Sequence, residues 1–306
     1  CPDAPPRILH SGWLTPAATC IVCFACDAMR DFGGPVGCPI HDPENYGPVC
    51  RQSRHSSTEA LQSGARRCHL CEHAPCSAAS RTAMDIPAFI AAYRRGDESE
   101  AYEIIRRSDL LPEMTAALSP AWLHSEGACI EATLSGRPVP ILDLQFATAW
   151  QARQNGLTGV RLPAHPGGRK VAIVGAGPAG LAAAARLLEY GHQIDLYEHS
   201  DRLGGTPERV IPASRLPATL PEIEMLLGPA VAAGRLRIHH HMSLGGNLVL
   251  DALCDDADAV LLATGLWQER RLAGDDRIED VIDALRFLES AKLGALTTVP
   301  ARVAIL

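Results

Sequence analysis

One run, VAIVGAGPAGLAAA at 171–184, leaves this chain few folds to choose from. An unbroken apolar strand (170–174) enters Gly175-x-Gly177-x-x-Gly180 and leaves as a helix over about 179–190. Gly175 permits the tight turn, Gly177 lets the backbone approach a pyrophosphate, and Gly180 lets helix and strand pack closely. The N–H groups and dipole at the helix N-terminus then face the phosphates. A strand predicted at 193–198 ends in Glu198, placed to accept hydrogen bonds from ribose hydroxyls. An acid there favours FAD or NAD over a 2′-phosphorylated nucleotide. Helical spacing at 220–233 and strand patterns at 235–240 and 259–263 continue the alternation. The fold class is α/β, a parallel sheet with crossover helices.

Upstream of this unit the informative residues are cysteines. Cys68, Cys71 and Cys76 share one short run, RCHLCEHAPC, and Cys129 follows in SEGAC. Four thiolates gathered this way suit a 4Fe-4S cluster or a zinc ion, and spacing alone leaves both open. A second group, Cys20, Cys23 and Cys26 in C-x-x-C-x-x-C with Cys38-Pro39 beyond, resembles a ferredoxin-type run with a longer last gap. Iron–sulfur, zinc and free thiols are all open for it, and Cys50 is an alternative to Cys38. Cys1 and Cys254 have no evident partner. Around these groups, 85–107 reads as two helices broken at Gly96, with Asp97 capping the second, and another helix spans about 142–151.

Composition narrows the function classes. With 306 residues and 47% hydrophobic content the chain can bury two cores, and a formal charge of −7 offers no basic face for nucleic acid. Eleven cysteines arranged in C-x-x-C pairs in so long a chain point to metal or cluster binding in a reducing compartment rather than a disulfide framework. No signal peptide is visible, and the longest apolar stretch, 171–188, is interrupted by the glycine loop. A cytoplasmic protein without a membrane partner is expected. Consecutive His239, His240 and His241 end a predicted strand, where alternating faces keep them from converging on one metal. Asp255, Asp256 and Asp258 read as a solvated turn.

Ordered matches now carry a resemblance. DRLGG (201–205) and VLLATG (260–265) resemble motifs of two-dinucleotide-domain flavoproteins, and C-x-x-C-x-x-x-P-C (68–76), IPAFI (86–90), GD-x-x-x-A-Y (96–102), SEGAC (125–129), QFAT (145–148), GAGPAGL (175–181), DRLGG and IP-x-x-RLP (211–217) follow one another in order. Together they make the chain similar to the glutamate synthase small-subunit family, which includes the N-terminal half of dihydropyrimidine dehydrogenase. The resemblance implies a helical iron–sulfur domain, a Rossmann-like FAD domain, and electron flow from NAD(P)H through FAD to a cluster and a partner domain or subunit. It assigns a 4Fe-4S cluster to Cys68, Cys71, Cys76 and Cys129. It implies that FAD is lined by Leu118, Gly175, Ala176, Gly177, Pro178, Ala179, Gly180, Glu198, Arg202, Gly204, Gly205, Arg215, Leu244, Thr264 and Gly265. A second family cluster would use positions occupied here by Ser80, Ser119 and Ser125, with a glutamine ligand near Gln145. Serine is a poor ligand for iron in place of a thiolate, so that cluster is expected to be absent.

The expected organisation is a Cys-rich extension (1–60), a helical cluster domain (61–154), a linker (155–168) and an FAD domain (169–300). The run at 302–306 resembles 170–174, so 301–306 reads as the first strand of a second, NAD(P)-binding domain, and the chain reads as a fragment of a longer protein. The rival class is a zinc-stapled scaffold or assembly subunit with a vestigial Rossmann domain.

Overall fold

The computed structural model describes residues 57–165, 167–212, 215–216, 220–267, 281–296, 298 and 302–304. The constellation of Cys20, Cys23, Cys26 and Cys38 lies outside them, as do Cys1 and Cys50.

The first half is helical: α1 (Thr58–Arg66), α2 (Pro75–Ala78), α3 (Ile86–Arg95), α4 (Glu98–Ser108), α5 (Pro112–Leu118), α6 (Ile130–Ser135) and α7 (Ile141–Gln154). The break expected at Gly96 is there, in the left-handed region at φ 77°, and Asp97 caps α4 by accepting from Glu100 N. Ile86, Phe89 and Ile90 of α3 and Ile104 and Ile105 of α4 meet Ile141 and Leu144 of α7 in one apolar core.

The second half alternates β1 (Lys170–Val174), α8 (Pro178–Glu189), β2 (Gln193–Tyr197), α9 (Thr206–Arg209), α10 (Leu220–Ala232), β3 (Leu236–His239), α11 (Leu250–Asp256), β4 (Ala259–Leu262) and α12 (Ala284–Lys292). The four strands are parallel in the order β3-β2-β1-β4. Leu181, Ala184, Ala185 and Leu188 of α8 and Ile223, Leu226, Leu227 and Ala230 of α10 recur at helical spacing and bury against one sheet face. β1 is an apolar run buried on both faces from Val171 to Val174, whereas β2 carries Asp195 and β3 carries Arg237 and His239. Chain order builds outward from β1 through β2 to β3, then jumps back across β1 to β4. That reversal makes the carboxyl ends of β1 and β4 the topological switch point, where open α/β sheets bind ligands.

The two halves share a core. Leu110, Leu111, Met114 and Ala117 pack in the same buried cluster as α8 and α10. Glu222 of α10 caps the first turn of α5, accepting from Glu113 N (2.7 Å) and Met114 N (2.9 Å). Buried Arg106 of α4 pairs with Glu189 at the end of α8 and also donates to Gly159 O. The segment 155–168 is docked rather than free: Val160 is buried in the shared core and its N–H donates to Leu226 O at 2.9 Å. Of the strand expected at 302–306, residues 302–304 pair with no strand and the last two lie outside the described residues.

Candidate functional sites: a thiol cluster and a glycine-lined cleft

Four segments of the helical half bring the cysteines together. Cys68 follows α1, its N–H donating to Ala65 O. Leu70 adopts a left-handed conformation (φ 52°) that turns the chain back for Cys71. Cys76 lies in α2 and Cys129 is the residue before α6. Gly127 is obligatory in the loop before Cys129, because a Cβ there would sit 1.8 Å from Trp122 O. His69 Nε2 and Glu131 Oε2, 2.7 Å apart, clasp the two cysteine segments, and Arg94 donates to Cys68 O at 3.2 Å.

All four thiols are free; Cys76 and Cys129 are buried, Cys68 and Cys71 half-buried. Burial pushes the Cys76 thiol up to about 11, and the charges that Cys129, Cys68 and Cys71 would carry raise it further. Cys68 is raised too, first by burial and then by Cys129 and Cys71. The thiols lie near enough for each charge to raise its neighbours, so several thiolates together are unfavourable without a cationic centre. Among the described residues no group of three His, Cys, Asp or Glu side chains is arranged to hold one metal ion. A single zinc needs four sulfurs about 2.3 Å from a common point, whereas a cubane spreads its thiolates over four irons. Four free thiols are a donor set that either group can take.

The second site lies at the switch point, and glycines shape it. Gly175 is left-handed (φ 106°), and a Cβ on it would meet Ala263 O at 2.2 Å. A Cβ on Gly180 would sit 1.9 Å from Gly175 O, and one on Gly205 (φ 59°) would sit 2.8 Å from Gly177 Cα. Gly204 N donates to Ala176 O at 2.8 Å, so 201–205 is tied to the first loop. Gly177 differs. A Cβ there would find no protein atom closer than Gly205 Cα at 3.9 Å, so this glycine keeps open the space in front of α8. Three glycines hold the loops against each other; the fourth leaves room for a ligand.

Glu198 lies just past β2 and is buried. Its Oε2 accepts from Ala176 N (2.8 Å), and its Oε1 accepts from Ser200 N (3.0 Å) and Ser200 Oγ (2.9 Å). His199 Nδ1 is 2.7 Å from the same Oε1. The acid expected at a ribose thus also anchors the glycine loop. Thr264 and Gly265 follow Ala263 across Gly175, both exposed. Leu118, at the end of α5, packs half-buried against the shared core with Leu203 and Ile211. Arg202 reaches Glu208 at 3.4 Å, and half-buried Arg215 turns back on Pro212 O through its N–H. Leu244 is exposed and bridges Leu248. The histidines diverge: His239 stacks on Tyr197 (centroids 4.6 Å apart) and meets Asp195, while His240 Nδ1 lies 3.1 Å from Ser200 O.

The clasp of His69 with Glu131 escaped the sequence reading, as did the capping carboxylate of Glu222. Both depend on long-range pairings that no local pattern announces. Asp256 and Asp258, read as a solvated turn, also fasten the start of β1: Asp258 Oδ2 accepts from Lys170 N at 2.8 Å and Asp256 pairs with Lys170 Nζ.

Comparison with known proteins covers both regions. The family described as dihydropyrimidine dehydrogenase domain II, 4Fe-4S cluster, matches residues 45–156, and the NAD(P)-binding Rossmann-like domain matches 173–211. The glutamate synthase [NADPH] small chain of Bacillus subtilis is 33% identical over 183 residues, covering 60% of this chain and 36% of that protein. The chain belongs to the glutamate synthase small-chain and PreT-like family. Within that family, the Azospirillum brasilense small chain is 28% identical over 77% of this chain and 48% of its own length. The NAD-dependent dihydropyrimidine dehydrogenase subunit PreT of Salmonella typhimurium is 31% identical over 74% of this chain and 54% of its own length. The chain thus spans about half, or less, of the family members it matches. It joins the family's iron–sulfur domain to a Rossmann-like dinucleotide-binding domain. Among the described residues, no helix is long and apolar enough to cross a membrane.

Proposed function

We propose that this chain is the flavin- and iron–sulfur-bearing module of an NAD(P)H-dependent oxidoreductase, working in the cytoplasm. Electrons from NAD(P)H would pass through FAD in the glycine cleft to a 4Fe-4S cluster at Cys68, Cys71, Cys76 and Cys129, and on to a partner domain or subunit. The observation that carries this reading is the convergence of three separate segments, 175–180, 201–205 and 263–265, on the carboxyl end of β1. When bound, FAD supplies two-to-one-electron conversion, and the cluster relays single electrons.

The protein's part is to position both groups. The N-terminus of α8 presents N–H groups to a pyrophosphate through the gap left at Gly177. Glu198, fixed by Ala176 N and Ser200, holds the loop in that shape. Leu118 links the cleft to the helical half, because α5 packs in the shared core. Relatives named as a small chain of glutamate synthase and a subunit of dihydropyrimidine dehydrogenase support a larger electron-accepting partner. We place the domain limits at 61–154 and 169–300, with the nicotinamide site in a second dinucleotide domain beginning near 301.

Anaerobic purification followed by flavin, iron and sulfide assay tests the reading. Bound FAD together with broad visible absorption that bleaches with dithionite is the expected result. Colourless protein loaded with zinc would favour the scaffold reading instead. Arg215→Ala is expected to weaken FAD binding or shift the flavin potential, and no change in either would remove Arg215 from the site.

A further inference from the structure

A cavity lies in the helical half, about 40 Å³ in volume, between the 80–86 segment, α5, the 119–125 loop and α7. Ser80, Ser119, Ser125 and Gln145 all line it. These are the four positions at which the family resemblance would place a second cluster. Their convergence on one cavity gives that correspondence a structural footing, since they are scattered over 66 positions of sequence (80 to 145, counted inclusively).

What lines the cavity is chemically unlike the thiol site. Asp109, 6% exposed, stands at its wall. Its Oδ1 accepts from Leu111 N (3.0 Å) and its Oδ2 from Thr115 Oγ1 and Gln145 Nε2 (3.3 Å). Gln145 Nε2 also donates to Pro112 O (3.1 Å) and Thr115 Oγ1 (3.0 Å), so the would-be glutamine ligand is already held by α5. Ser80 Oγ pairs with Thr82 Oγ1 at 3.2 Å. Ser125 is 4% exposed. A cavity of this size lined by hydroxyls and an amide has both the room and the polar partners that water needs.

We infer that this cavity is a hydroxyl-lined water site that excludes iron–sulfur, so that the helical half carries iron only at Cys68, Cys71, Cys76 and Cys129. Two arguments support it. Hydroxyls ligate iron poorly in place of thiolates and must lose a far more tightly held proton to do so. The network of Asp109, Thr115 and Gln145 would also have to be dismantled to admit the eight atoms of a cubane. Exposed Arg81 and half-buried His124 also line the cavity, but neither is a soft donor.

The inference rests on the cluster proposed at the thiol site, and the two can fail separately. In the full chain carrying Cys20→Ser and Cys23→Ser, iron and labile sulfide are measured after anaerobic purification. To this background are added either Cys68→Ser with Cys71→Ser, or Ser80→Ala with Ser119→Ala and Ser125→Ala. The background is expected to hold about four irons, lost in the thiol variant and fully kept in the serine variant. Iron lost in the serine variant, or about four irons kept in the thiol variant, would overturn the inference. Should the triple variant fail to fold, judged by circular dichroism, Ser119→Ala alone gives the same comparison at a half-buried residue. A background chain without iron would overturn the thiol-site reading from which the inference starts.

Discussion

The thiol site and the glycine cleft are built on opposite principles. At the first, side chains are the site: four sulfurs from four segments converge, and the backbone serves to bring them round. At the second, missing side chains are the site: Gly175, Gly180 and Gly205 let three loops touch, and Gly177 leaves a gap. A site made of donors should fail when a donor goes and leave the rest standing. A site made of close backbone approach should fail in two ways, through the ligand or through the fold, depending on which glycine gains a Cβ.

Cys129→Ala is expected to have the largest effect. Removing one of four ligands should cost essentially all of the roughly four irons at this site while FAD stays bound. Iron and flavin assays on the same sample check it; flavin lost together with iron would show that the two sites are not separable. Next comes the pair of glycines. Gly177→Val should abolish flavin retention with iron and folding nearly unchanged, because the added atoms meet ligand space. Gly180→Ala, whose Cβ lands on Gly175 O, should lower stability and expression before any binding question arises. If Gly177→Val unfolds the chain as Gly180→Ala does, the distinction between the two glycines is wrong.

A smaller effect is expected where the two halves meet. Met114, 2% exposed in the shared core, should cost about 2–5 kcal/mol when changed to Ala. Denaturant melts should show one transition moving as a unit; a split into two transitions would mean that the halves are not energetically joined. The smallest effect concerns Glu222, pushed up to about 8 first by burial and then by the neighbouring Glu113 charge. Its other charged neighbours are Asp109 and, through Glu113, Arg153. Between roughly pH 4.5 and 8 the folded chain then holds a proton that the unfolded chain has released, so stability falls as pH rises across that window. Glu222→Gln should flatten that slope. Asp109, also raised by burial, should keep part of it. An unchanged slope in Glu222→Gln melts would mean that the carboxylate is ionised throughout.

Much of this was legible because it is local. The glycine spacing and the unbroken apolar strand define the loop at Gly175 within ten residues, and each predicted strand from 170 to 263 falls within two residues of its place. The helix break at Gly96 and the cap at Asp97 were readable for the same reason. What the sequence hid is non-local. Nothing near Glu222 announces that it caps α5, a contact spanning more than a hundred residues. Glu198 shows the limit differently: its position was predicted from ribose chemistry, yet its carboxylate is also engaged with Ala176 N and Ser200. The segment 155–168 read as a linker between domains, but Val160 is pinned by a core that only the folded chain contains.

The central claim is that one chain holds a flavin by absent side chains and a cluster by present ones. Low-temperature electron paramagnetic resonance of the dithionite-reduced full chain, with and without Cys68→Ser, tests it most directly when FAD is quantified in the same tubes. A reduced-cluster signal that loses the intensity assigned to this site in Cys68→Ser while FAD content stays constant is the predicted result. An unchanged signal, or FAD that disappears with the cluster, would contradict it.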